Sequence, residues 1–365
     1  MRMEMGEMTI FQELLLVSMG KRKALSRTAS EAEWEEVYDL SIKQSMLGIL
    51  FIGVSKLPQE QRPPRKLLMR WIAMSEHIKD DNEKKFAYCK EISEWFGKKG
   101  FRACILKGQG NALLYPEPGS RSCGDIDVWL EGTPKEVAHF ILQMKPDAEL
   151  WYHHGHFPKY KGTEIEPHYR PAWFSSPWKN RKLQRWFRSE APEQFGHELA
   201  DYGFAVPTTA FNLVYQLCHI RRHVLNEGMA LRPLMDYYYL LKSCQGNYPD
   251  VLPLLKSFGL MGIAGAVMYI MREVFGMADA ELLVPADAWR GKTMLEEVYL
   301  TGNFGKFDAR VSEAQRNSKR GRFLNRVKRD VRFFAQYPGE CFWEPIFRTY
   351  LIFWKKWFVK AAAKG

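Results

Sequence analysis

Residues 123–129 read Cys-Gly-Asp-Ile-Asp-Val-Trp, and this alternation restricts the fold more than any other stretch of the chain. Successive side chains on a strand point to opposite faces, so Asp125 and Asp127 share a face while Ile126 and Val128 take the other. Two carboxylates this close repel each other unless a cation lies between them, and hard oxygen ligands of this kind suit Mg²⁺ or Mn²⁺. Upstream, the apolar run Phe101–Leu106 suits a buried strand and ends in Lys107-Gly108-Gln109-Gly110. A metal pair beside a glycine-rich turn is what phosphate chemistry on a nucleotide requires. Asp-x-Asp also occurs as nothing more than a polar strand end, so the upstream turn gives the pair its weight.

The surroundings read as helix on both sides of a short α/β stretch. Ser30 is an N-cap for a helix opening at Glu31, with acids in its first turn. Pro58 and the Pro63-Pro64 pair break the chain before a long helix over residues 65–98, which Gly97-Lys98-Lys99-Gly100 terminates. After the first strand the pattern predicts a helix over 109–115 and a loop through Pro116, Pro118 and Gly119 that delivers Arg121 to the Asp125 strand. Thr133-Pro134 caps a helix through Met144, and further strands are expected over 152–159 and 163–169. Helical periodicity returns after Pro207, with Thr208-Thr209 capping a helix through Val224 and further helices over 232–243 and 260–275. The expected fold class is α+β, a small mixed β-sheet core flanked by N- and C-terminal helical segments. The expected division is 1–100 helical, 101–200 α/β core, 201–310 helical, and 311–365 a basic, aromatic tail.

Charge matters for that tail. The whole chain carries a net charge of +11. Residues 310–365 hold 14 Lys or Arg against 4 Asp or Glu, so nearly all the excess lies there. Six scattered cysteines without a CxxC pair, Cys104 and Cys123 among them in apolar strand-like runs, point to free, buried thiols rather than a disulfide framework. Met1–Glu7 lacks the basic-then-apolar order of a signal peptide, and Ser45–Ser55 is too short an apolar stretch to span a bilayer, so the expected compartment is cytoplasmic.

Leu106-Lys107-Gly108, Arg121 and Gly124-Asp125-Ile126-Asp127-Val128 together resemble the nucleotidyltransferase superfamily built on the DNA polymerase beta-type core, in particular its branch described as uncharacterised nucleotidyltransferases. Glu164-Ile165-Glu166-Pro167-His168 is similar to that branch's Glu-x-His strand. His219-x3-His223 with Arg232 and Asp236 matches its helical stretch, and Gly302-Asn303-Phe304-Gly305 its C-terminal portion. The likeness covers roughly residues 30–310 and leaves the tail outside. It implies a nucleoside triphosphate held by Lys107, Gly108, Gln109 and Gly110, with Arg121, His168, His219 and His223 around it. Asp125, Asp127 and a third carboxylate would hold Mg²⁺ or Mn²⁺; Glu166 is the candidate and Glu164 the reserve. The implied reaction moves a nucleoside monophosphate to an acceptor hydroxyl or phosphate, on a small molecule, a protein or an RNA end, and releases pyrophosphate. A non-catalytic nucleotide-binding scaffold and a phosphotransferase using the same metal site remain as alternatives.

Several residues carry more than one reading. Arg121 either neutralises phosphate charge or pairs with Asp125. Arg232 and Asp236 form an i,i+4 pair suited to a salt bridge along one helix. The spacing of His153, His154 and His156 fits no common zinc pattern. They suit contact with a phosphate or no specific role. In the tail, Trp343, Phe347, Tyr350, Phe353, Trp354, Trp357 and Phe358 alternate with Arg348, Lys355, Lys356 and Lys360. That mixture fits docking on the protein's own core, a peripheral membrane surface or nucleic acid.

Overall fold

Capping chemistry sets the first helices. The computed structural model describes residues 8–364; Met1–Glu7, on which the expectation about a signal peptide rests, lies outside the described residues. Thr9 and Ser30 each form a reciprocal capping box, opening α1 (Ile10–Ser18) and α2 (Glu31–Lys43), and α3 (Leu47–Lys56) follows. The Pro63-Pro64 break precedes α4 (Arg65–Lys98), whose 34 residues extend about 50 Å. Its buried positions, among them Leu67, Trp71, Cys89, Ile92 and Phe96, recur at helical spacing. Trp71 lies in a core shared with the helical segments, and Phe96 in a second core beneath the sheet. α4 is thus the strut joining the two.

The sheet is mixed, with strand order β3-β2-β1-β5-β4. Its strands are β1 (Ala103–Ile105), β2 (Ile126–Leu130), β3 (Ile165–His168), β4 (Glu198–Leu199) and β5 (Phe204–Ala205). β1 and β2 run antiparallel, while β2–β3 and β1–β5 are parallel. Between the strands come α5 (Gln109–Ala112), α6 (Pro134–Met144) and α7 (Pro177–Gly196). Ile126, Val128 and Leu130 pack with α6 and the end of α4 in one core, while Trp129 turns the other way. There its ring stacks on Phe211 of α8 (Thr209–Asn226), 5.7 Å between centroids. Strand alternation thereby delivers Asp127, on the face of Trp129, toward α8.

The remaining helices are α9 (Arg232–Ser243), α10 (Leu252–Phe258), α11 (Met261–Glu273), α12 (Ala288–Thr301), α13 (Glu313–Asn317), α14 (Lys319–Phe333) and α15 (Pro338–Ala363). The described chain is 63% helical around this one small sheet, the α+β class that the sequence predicts. No helix among the described residues is long and apolar enough to cross a membrane. All six cysteines are free; five are buried and Cys123 is half-buried, in a loop rather than a strand.

Three local expectations are corrected. The helix predicted over 109–115 stops at Ala112, and Tyr115 instead reaches back to donate a hydrogen bond to Asp236. The strand predicted over 152–159 is reduced to isolated bridges, Leu150 to Gly155 and His154 to His168, because His153 and His154 there turn into a packed cluster with His168. Thr208 precedes α8 in extended conformation, but its side chain makes no capping bond.

Candidate active site

The site is assembled where β2, β3 and α8 converge. In the β2–β3 register Asp127 faces Glu166, one strand apart. Asp125 immediately precedes β2, and both aspartates line a cavity with Glu166. The cavity encloses about 190 Å³, or about 930 Å³ when its open mouth is counted. Glu164, by contrast, is exposed and paired with Lys159 at 2.6 Å, away from the cavity.

Asp127 is the fixed point of the carboxylate wall. Its Oδ1 accepts from Lys107 Nζ at 2.9 Å and from His168 Nε2 at 2.8 Å. Burial works against its charge, but Lys107 and His168 outweigh burial and hold the carboxyl below its usual range. Asp125 is shifted the other way, by repulsion from Asp127 and then by burial. Glu166 is pushed up to about 8 by burial and by the two aspartates. One carboxyl is thus held ionised while its two neighbours resist ionisation. A doubly charged cation would relieve that conflict, and three carboxylates suit a hard one. Ligand atoms of Asp127, Glu166 and His168 lie within 4.8 Å of one another, so this cluster can bind a metal.

Lys107 reaches Asp127 because the chain turns sharply after β1. Gly108 has φ 58° and ψ −112°, a combination that a side chain would strain, and the turn starts α5. Gln109 and Gly110 do not line the cavity. Gln109 is buried against Asn82, and a Cβ on Gly110 would lie 2.9 Å from the Ile105 carbonyl. Gly110 is therefore required by close packing. His168 likewise stands behind Asp127 rather than on the cavity surface.

Arg121 pairs with neither Asp125 nor a free space. Its guanidinium makes a buried two-pronged contact with Asp236, at 2.7 and 2.6 Å. Asp236 is consequently not the partner of Arg232, whose Nη1 donates to the Ser122 carbonyl at 2.9 Å. The i,i+4 spacing on α9 was a correct neighbourhood but the wrong pair, because Arg121 approaches from the loop with better geometry. Asn82 of α4 holds that loop by donating to the carbonyls of Gly119 and Arg121 at 2.8 and 2.6 Å.

The opposite wall is cationic. His219 and His223 lie one turn apart on α8, their rings 4.3 Å between centroids, and both line the cavity. Burial drives both imidazoles below their usual range, so they are neutral. Arg222, which sequence spacing did not single out, lies between them and donates to His153 Nε2 at 3.1 Å. His223 Nδ1 donates to Glu227 at 3.0 Å. Arg222 follows His219 by three positions, and that i+3 spacing was the signal available for it. His153 and His154 also line the cavity, hydrogen-bonded to each other at 2.8 Å. The Tyr215 hydroxyl and Arg232 Nε are buried there without partners among the described residues.

Phe304 stands at the cavity mouth, half exposed, with its ring 5.3 Å from His223. Its φ of 53° is unusual for a bulky residue. The backbone cannot relax easily, since a Cβ on neighbouring Gly305 would lie 2.3 Å from the Glu227 carbonyl. The loop is wedged against the end of α8.

A carboxylate wall on a small mixed sheet, facing a cationic helix across one cavity, defines an enzyme-like site for a charged substrate. The family described as uncharacterised nucleotidyltransferase matches residues 30–276, more than half of the 365-residue chain, and the chain belongs to that family. The match includes every cavity residue named above except Phe304, so the Gly302–Gly305 stretch lies outside it. No curated protein and no solved structure matched the chain.

Proposed function

We propose that this chain is a Mg²⁺- or Mn²⁺-dependent nucleotidyltransferase, moving a nucleoside monophosphate from a nucleoside triphosphate to a hydroxyl or phosphate acceptor with release of pyrophosphate. The observation that supports it most is the meeting of Asp125, Asp127 and Glu166 with Lys107 and Arg222 in one cavity. Asp125, Asp127 and Glu166 are the residues to hold the cation. When bound, it stabilises charge on the attacking and leaving oxygens of an in-line displacement.

The chain's own residues divide the rest. Lys107 and His168 keep Asp127 ionised and fix the orientation of its carboxylate. Arg222 and Arg232, with neutral His219 and His223 as hydrogen-bond partners, form the wall for the triphosphate oxygens. Arg121 acts through Asp236, holding the loop that delivers Asp125. The apolar Phe304 ring offers the base a flat surface at the mouth. Glu166 is the side chain placed to take a proton from an acceptor hydroxyl once its carboxyl is ionised. The cytoplasm is the compartment this reading assumes.

The test is paired label transfer with purified protein, Mg²⁺ or Mn²⁺, a cell extract, and each triphosphate labelled at the α or the γ phosphate. Transfer of α label with pyrophosphate release, lost in Asp125→Asn/Asp127→Asn, is expected. Transfer of γ label alone would make the protein a phosphotransferase. Absence of metal-dependent triphosphate binding would leave the scaffold reading.

A further inference from the structure

The C-terminal hairpin places its side chains in an inverted order. α15 docks one face on the body, where Phe347, Trp354, Phe358 and Ala362 are buried and Trp354 packs against Tyr152 at 4.9 Å. Four of its six charged residues are tied to partners, while Lys356 and Lys360 are exposed. Glu340 pairs with Arg221 and Lys179, Arg348 with Asp330 and Glu344, and Lys355 with Glu149. The face left to solvent is mainly apolar, with Lys356 and Lys360 on the same side: it carries Phe342, Ile346, Tyr350, Ile352, Phe353 and Trp357, the last two 68% and 66% exposed. At about 100° per residue these six positions fall on one side of the helix.

α14 repeats the arrangement. Arg329 donates to the Val224 carbonyl and pairs with Glu297, which Arg332 also contacts. Phe323, Val327, Val331 and Phe334 point outward, Val331 being 71% exposed. An ion pair between Arg348 and Asp330 at 2.9 Å ties the two helices together. Around these stripes Lys319, Arg320, Arg326, Lys328, Lys356 and Lys360 make no salt bridge among the described residues.

We infer that the outer face of the α14–α15 hairpin is a docking surface for an anionic lipid bilayer. Exposed aromatic and aliphatic side chains interspersed with Lys and Arg that make no salt bridge among the described residues match an interface whose interior is apolar and whose headgroups are negative. The charge argues against the other occupants. Two copies meeting face to face would bring two sets of unpaired cations together. Nucleic acid would call for arginine or lysine at the outward positions that Ile352, Phe353 and Val331 fill. The hairpin lies on the surface rather than across the bilayer, since no described helix is long and apolar enough to span one.

The experiment is flotation of the full-length protein with vesicles of phosphatidylcholine alone and of phosphatidylcholine mixed with phosphatidylglycerol. Tryptophan emission serves as a second readout. Wild type is expected to float with the anionic vesicles, at least about tenfold more tightly than with neutral ones, with blue-shifted emission. Phe353→Ser/Trp357→Ser should weaken that binding about tenfold or more, and Lys356→Glu/Lys360→Glu should erase the preference for anionic vesicles. Both variants alter exposed residues that belong to neither core, and unchanged circular dichroism checks their folding. The inference is overturned if wild type stays with the soluble fraction, or if the serine variant floats as wild type does. It is also overturned if light scattering shows a wild-type dimer that the serine variant dissolves, or if single-stranded RNA binds this face and displaces the vesicles.

Discussion

The cavity and the C-terminal hairpin depart from ordinary side-chain placement in opposite senses. The cavity draws Asp127, Glu166, Arg222 and Arg232 away from water, whereas the hairpin pushes Phe353, Trp357 and Val331 into it. In both regions the stabilising arrangement lies elsewhere. Asp127 is held by Lys107 and His168, and the hairpin by its inward ion pairs and its buried Trp354 and Phe358. What each leaves unmatched differs. The cavity leaves carboxyls resisting ionisation beside an ionised one; the hairpin leaves apolar area without cover. The first kind of mismatch calls for a cation and a charged substrate, the second for an apolar surface.

Substitutions should separate the two regions by size and kind of effect. Asp127→Asn should reduce nucleotidyl transfer by about a thousandfold or more in the label assay, because it removes the one carboxylate held ionised. Thermal melting should also fall, since Lys107 and His168 lose a buried charged partner, but by far less than activity does. A response in stability alone would remove Asp127 from the chemistry.

Asp236→Ala should act on folding instead. It leaves Arg121 buried and unpaired, a loss of about 3–5 kcal/mol read from urea unfolding. Burial opposes the charge of Asp236, and Arg121 outweighs it, so its folded pKa is depressed. A depressed carboxyl contributes stability above its unfolded value, about pH 4, and loses that contribution as pH falls through the folded value. The wild-type urea midpoint should therefore fall on acidification, and less steeply in Asp236→Asn.

Glu166→Gln should lower transfer by about a hundredfold, while Glu164→Gln changes it less than about twofold. Equal effects would dissolve the distinction between the cavity-facing acid and the exposed one. Phe304→Ala should raise KM for the triphosphate about tenfold and leave kcat nearly unchanged, as expected for lost stacking of about 1–3 kcal/mol. Phe304→Gly sharpens this point, since glycine also relieves the positive φ and should lose affinity without losing stability. The smallest effect belongs to the outer face. Phe353→Ser/Trp357→Ser should shift unfolding by less than about 0.5 kcal/mol, as surface changes do.

The parts legible in the sequence were those whose signal is local. The Pro64 break and the Gly97–Gly100 stop bound α4, and Thr133-Pro134 caps α6 with Glu136 returning the bond. Lys107, Asp125, Asp127 and Glu166 were legible because each sits at a strand end whose alternation fixes its face. α7 went unread because Pro192 interrupts a largely polar, aromatic pattern. β4 and β5, of two residues each, are too short to leave a period. Arg121 with Asp236 was unreadable as a pair, since 115 residues separate them and only tertiary packing chooses between Arg121 and Arg232. Arg222 and Phe304 reach the cavity the same way, by docking of α8 and of a wedged loop.

α8 bears the hairpin and the cavity on adjoining sides of one turn. Arg221 meets Glu340 of α15, the Val224 carbonyl receives Arg329 of α14, and between them Arg222 and His223 face the cavity. The tail is therefore a brace and not a tether. Cutting the chain at residue 310 would strip Arg221 of its buried counter-charge beside two cavity residues, so a shortened protein would report first on the geometry of the cavity's cationic wall. Any load carried by the outer helices is likewise delivered to residues 221–224, within about one helical pitch of 5.4 Å.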